Sequence, residues 1–157
     1  MKNFFIRTGL ILYLLCTVSF AVRSEVNGGN FAVGLNYPGI GLKYFLTDKI
    51  PLELKIQTDT NVTVTGLRGY YYFNPEAKTH LYAGLEMDTL SFTGEVSKGS
   101  GFATLLFIGG EYFLGNSLSL QLDIGPAMIS LSDTDTSVSV SGMEFVANLG
   151  INYYFGR

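Results

Sequence analysis

A chain of 157 residues that is 47% hydrophobic, 14% aromatic and only 15% charged falls well short of the roughly 25% charge of an ordinary soluble domain. Its net charge of −3 and pI near 5.0 give no support for nucleic-acid binding. Nineteen glycines beside only 4 prolines argue against disorder or a collagen-like chain, and the length suits one domain.

The N-terminus, "MKNFFIRTGLILYLLCTVSFA", sets Lys2 and Arg7 around an uncharged apolar stretch from Thr8 to Val22. That is the pattern of a signal peptide over residues 1–21. Ser19-Phe20-Ala21 satisfies the small-x-small cleavage rule, and Val22-Arg23-Ser24 offers a second site after residue 24. A retained helical anchor is the other reading, and the stretch is short for it. Cys16, the only cysteine, follows Leu15 where a lipoprotein signal wants a small residue. The mature domain, 25–157, therefore has no thiol or disulfide chemistry.

After Ser24 the chain reads with period two. "PLELKIQT" alternates Leu52, Leu54 and Ile56 with Glu53, Lys55 and Gln57. "SLSLQLDIG" and "EFVANLGINYYF" repeat the alternation, which marks strands with two unlike faces. With the turn residues it predicts eight antiparallel strands at about 28–37, 39–46, 51–59, 62–73, 79–92, 101–114, 117–131 and 138–155. "TDKIP", "NPEAKT" and "GNS" follow strands two, four and six. The fold class is all-β, a closed antiparallel up-and-down transmembrane barrel.

Aromatic clusters end those same strands and strand eight. Tyr44, Tyr71, Phe73, Tyr112, Tyr153 and Phe155 fall on one rim of a meander. An apolar ring with a wet hydroxyl suits a membrane–water boundary, so these residues are expected to form an aromatic girdle. Which face meets lipid decides between a membrane barrel and a soluble lipocalin-like binder. The polar set contains Gly41, Gly66, Gly84, Gly109, Gly125 and Gly150. Glycine weakens an exposed strand but makes room inside a narrow barrel. The apolar set, almost free of charge, is expected to face lipid, and a sheet in lipid must close.

The inward phase carries Lys43, Glu53, Lys55, Arg68, Glu86, Glu111, Asp123 and Glu144. Charges in so tight a lumen should pair, with Lys43 opposite Glu53, Arg68 beside Glu86, and Lys55 reaching Asp123 or sharing a neighbour's acid. Such a network plugs the barrel; a gated ion path is the alternative. A lipid-modifying enzyme would need His80, the only histidine, which the pattern places exposed beside a rim turn with no evident serine partner. Without cysteine or a second histidine no metal site is expected. "SDTDTS" lacks the remaining calcium ligands, and no cofactor is implied.

The last strand, Asn148-Leu149-Gly150-Ile151-Asn152-Tyr153-Tyr154-Phe155, resembles the C-terminal targeting signal of bacterial outer-membrane β-barrels. Asn148, Gly150, Tyr153 and Phe155 hold its polar-x-Gly-x-x-aromatic-x-aromatic pattern. "YFLTDKIPLEL" is similar to the first periplasmic turn of small OmpA/OmpX-type barrels. The resemblance implies a monomeric eight-stranded barrel in a Gram-negative outer membrane, inserted by the barrel assembly machinery and surrounded by outer-membrane lipid. It implies a structural or surface-interaction role and no catalysis. Gly156-Arg157 extend past the aromatic that usually ends such chains, and no peptidoglycan-binding domain follows the barrel.

Overall fold

The computed structural model describes residues 26–36, 39–94, 98–134 and 138–155. The expected signal segment, Cys16, both candidate cleavage sites, Gly156-Arg157 and part of "SDTDTS" lie outside these residues. Eight strands follow in chain order: β1 Phe31–Asn36, β2 Gly39–Thr47, β3 Ile50–Asp59, β4 Val62–Tyr72, β5 Thr79–Thr93, β6 Lys98–Phe113, β7 Leu118–Asp133 and β8 Ser139–Phe155. Each pairs antiparallel with its neighbours in sequence, and β8 closes the ring on β1, with Phe31 opposite Phe155. The predicted order and topology are those observed.

The alternation that predicts the strands also sorts their faces. Leu42, Leu54, Ile108, Leu122 and Leu149 are each at least about half exposed on the outside. Lys43, Glu53, Arg68 and Asp123, on the opposite phase, are at most 1% exposed. The barrel is thus inside-out relative to a soluble fold. Burial in the lumen, with no wide hydrophobic core, is what holds the polar set.

Two edges differ from expectation. Residues 28–30 do not extend β1. Gly28-Gly29 make a turn in which Gly29 adopts φ +90°, a conformation that favours glycine. The turn folds the chain across the lower mouth, where Gly29 N donates to Phe45 O at 2.8 Å and Phe45 N to Asn30 O at 2.9 Å. Val26 is buried there at 2% exposure. At the other end β6 begins at Lys98 because Thr93 of β5 pairs with it and keeps the ladder going through Gly99 and Gly101.

Strand length rises steadily around the ring, from 6 residues in β1 through 9, 10, 11, 15, 16 and 16 to 17 in β8. The lower ends are level, since the tight turns gather there with the start of β1 and the end of β8. The upper rim therefore climbs from β1 to β8 and drops abruptly where they meet. The register produces the same climb. Directly opposed residues run Ala32, Lys43, Glu53, Arg68, Glu86, Leu105, Ala127, Glu144. Ala32 stands one residue above the Phe31–Phe155 pair, and Glu144 eleven residues above it. One circuit thus rises ten residues, the stagger that tilted strands need in order to close.

Candidate functional site

Seven of the eight expected inward charges meet in the lower two-thirds of the lumen. Arg68 is the hub, fully buried. Its Nη2 donates to Asp123 Oδ1 at 2.9 Å, and its Nε lies 3.1 Å from Glu86 Oε2. The guanidinium also sits over the Phe107 ring, 4.3 Å from its centroid, where a flat, weakly hydrated cation is favoured. Lys55 pairs with Glu86. It does not reach Asp123, because Arg68 fills that position from across the barrel.

Lys43 faces Glu53 in the register as expected, yet its ammonium turns away. It donates to Gln121 Oε1 at 2.6 Å and lies 3.4 Å from Glu111 Oε2. Glu53 instead accepts from Asn36 Nδ2 at 2.6 Å and from the Tyr70 hydroxyl. Directly opposed Cβ atoms set neighbourhood, but a long side chain in a tight lumen reaches whichever acceptor leaves fewest groups dry. Glu144 is outside the network altogether. It points inward by phase, opposite Ala127, but the climb of the register lifts it to the open upper lumen, where it is exposed.

Removing Glu144 leaves three buried cations against four acids. The balance comes from tyrosine. Glu111 accepts from Tyr72 at 2.5 Å, Tyr154 at 2.6 Å, Asn152 at 2.8 Å and Ser119. Asp123 accepts from Tyr82 at 3.2 Å and Asn148 at 2.8 Å. Four tyrosines lie on the inward phase: Tyr70, Tyr72 and Tyr154 sit inside the aromatic clusters, and Tyr82 stands apart from them. Strict alternation separates Tyr70, Tyr72 and Tyr154 from their outward aromatic neighbours. Asp88, also inward, lies above Gly66 beside Glu86 as a further half-buried acid.

Below this layer the mouth is closed by rings. Phe45, Tyr72, Phe113, Tyr154 and His80 pack tilted or edge-on, with ring centroids 4.8 to 6.0 Å apart. His80 does stand beside the rim turn, but it is fully buried rather than exposed. Its even number turns it inward, between Tyr72 and Phe113. Above the polar layer the lumen becomes aliphatic. Val64, Leu90, Leu105, Ala127, Ile129 and Val146 all occupy the inward phase; Leu105 and Ala127 are buried, the others half-buried. Sequence reading missed this layer because the apolar residues of the upper strands change phase, with Thr104 and Ser130 facing out and Leu105 and Ile129 facing in.

Of the residues expected to form a girdle, Tyr44, Tyr71, Phe73, Tyr153 and Phe155 project outward at 40–57% exposure, with Tyr112 half-buried among them. Phe155 stacks on Phe31 at 4.9 Å across the β1–β8 seam. The terminal motif is therefore split: Asn148 and Gly150 face the lumen, Tyr153 and Phe155 the outside.

Eight up-and-down strands closed into a ring, apolar outside and polar within, define a small transmembrane β-barrel. No family model matches the chain, and no curated protein sequence does. Among solved structures it is similar to the outer membrane protein OprG from Pseudomonas aeruginosa, with a TM-score of 0.52 and 12% identity. The match covers 86% of this chain and 100% of that one. At that identity the likeness is one of fold, in keeping with the eight-stranded OmpA/OmpX-type architecture.

Proposed function

We propose that the chain is exported and inserted by the barrel assembly machinery into a Gram-negative outer membrane, where it serves as a non-enzymatic structural or surface-interaction barrel. On this reading its lumen is plugged to ions. The location is supported by the charge-free outer belt and by the aromatic girdle at its lower edge. After alkaline carbonate extraction the protein should stay with the membrane pellet; release into the soluble fraction would overturn the location.

The plug rests on one observation: Arg68 is fully buried while bridging Glu86 and Asp123 across the lumen. An ion would have to displace fixed, mutually compensated charges in a space already filled by side chains. In planar bilayers the wild-type barrel is expected to be silent, and Arg68→Ala to produce discrete openings. Large, stable conductance from the wild type would refute the plug.

A further inference from the structure

Above the apolar belt the outer face of the barrel changes character. On β7 the outward phase runs Leu120, Leu122, Ile124, Pro126 and Met128, then turns to Ser130 and Ser132. On β5 it passes from Leu85 and Met87 to Thr89 and Ser91. The rise from Leu120 to Ser130 is about 26 Å, at about 3.4 Å per residue and a tilt of about 40°. A hydrocarbon belt is about 25 Å tall, so the hydroxyls begin where the hydrocarbon ends.

The register lines these hydroxyls up. Thr63, Ser91, Ser100, Ser132 and Ser139 oppose one another in a single row from β4 to β8. The row beneath it is Thr65, Thr89, Phe102, Ser130 and Ser141. Both rows are exposed throughout, and the Ser132 and Ser139 hydroxyls lie 3.0 Å apart on their shared face. Phe102, the one ring in the two rows, is 48% exposed. Thr89 and Ser130 flank it, and Ser100 stands above it on the same face. A wall that met only water would carry charges of both signs, and a boundary with phospholipid a second girdle of tyrosine. This wall has neither. Among the described residues, Lys98, opposite Thr93 at the top, is the one charged side chain on the outward phase of β5–β8 above Met128.

A hydroxyl both donates and accepts and turns to suit its partner, which matches a ligand whose own groups are mostly hydroxyls. The negative face of an aromatic ring attracts the C–H-lined face of a pyranose. A lysine at the edge of the array serves a phosphate. We propose that this upper wall docks the sugar headgroup of a phosphorylated glycolipid from the surrounding outer leaflet. One pyranose lies on Phe102, and its hydroxyls bond to Thr89, Ser100 and Ser130. Because the array continues the apolar belt without a break, one ligand covers both, acyl chains below and sugar above. This rests on the outer-membrane reading above, whose own test, carbonate extraction, is independent of the binding measurement below.

Native mass spectrometry of the full mature barrel tests this, with release from tetraethylene glycol octyl ether, a detergent that has no sugar to compete. The probes are heptose-free lipopolysaccharide, its deacylated oligosaccharide, and cardiolipin, which has phosphates and several acyl chains but no sugar. The wild type should retain the glycolipid in preference to the other two. Phe102→Ala should lower glycolipid retention by about three- to tenfold and leave cardiolipin unchanged. Thr89→Val combined with Ser130→Ala removes two hydroxyls while keeping the strands, and should weaken the glycolipid alone. Unchanged slow mobility of the unboiled variants on a detergent gel verifies closure. Leu106→Ala, in the apolar belt, provides a folded reference that should keep the wild-type ratio of glycolipid to cardiolipin. Wild-type glycolipid retention by both array variants would overturn the proposal, because the hydroxyl rows would then serve only strand pairing. An equal fall for both lipids in Phe102→Ala would overturn it too, by showing that the ring meets acyl chains. Retention of the deacylated oligosaccharide as strong as that of the glycolipid would make a soluble glycan the partner instead.

Discussion

Arg68→Ala is expected to lower the stability of the refolded barrel by about 3–5 kcal/mol, read as a fall in the urea midpoint with an unchanged slope. The loss is not that of one favourable contact. A buried ion pair gains little net free energy over an apolar substitute, but deleting one partner strands the other. Here two acids are stranded together, Glu86 and Asp123, since Arg68 bridges both. Lys55 can still serve Glu86, whereas Asp123 keeps only neutral donors, Tyr82, Gln121 and Asn148. Adding Asp123→Asn to Arg68→Ala should therefore recover more stability than adding Glu86→Gln. Equal recovery from the two would mean that the acids share their charge through the network and that the bridge geometry decides nothing.

Much of this arrangement is legible in the sequence because a membrane barrel enforces strict alternation. One residue out of register would put Arg68 or Glu53 into lipid, so the phase of each charge is fixed by the apolar residues on either side. Strand order, the outward direction of the rim aromatics and seven of the eight lumen charges follow from that. What alternation does not carry is height. Glu144 has the right phase but stands a full circuit above Ala32, and stagger is a property of closure rather than of any one strand. Partner choice was hidden for a related reason. Lys43 sits opposite Glu53 yet turns to Glu111 and Gln121 because Asn36 and the Tyr70 hydroxyl already serve Glu53. His80 was misplaced by reading its turn instead of its parity. The aliphatic upper lumen does leave a signature, since Val62-Thr63-Val64-Thr65 and Ile129-Ser130-Leu131-Ser132 still alternate but with the apolar phase turned inward, and reading one phase for the whole strand overlooks that reversal.

Gly125 and Pro126 together interrupt the pairing of β7 with β6, and Gly125→Ala is expected to cost about 3 kcal/mol and to reduce refolding yield sharply. Even-numbered β7 residues bond to β6, as Thr134 N does to Lys98 O and Leu118 O from Leu114 N. Pro126 is even-numbered and has no N–H, so it cannot donate to Leu106, the residue its register sets opposite. The β6–β7 pairing accordingly skips from Leu105–Ala127 to Ile108–Ile124. The undonated Leu106 carbonyl leans across Gly125. A Cβ on Gly125 would lie 2.8 Å from the Leu106 carbonyl carbon and 2.9 Å from Phe107 Cα, and closer still to Leu106 O. These are backbone atoms, which a rotamer change cannot relieve. Proline inside a central strand is otherwise disfavoured for the bond it removes, so Pro126→Ala alone should stabilise the barrel by about 1 kcal/mol. The two positions are then coupled. Restoring the donor should draw Leu106 O back toward β7, and the double variant should be less destabilised than the sum of the single effects, by about 1 kcal/mol. Strict additivity in the urea midpoints would show that Gly125 answers to the crowding of Phe107 alone and owes nothing to the missing ladder bond.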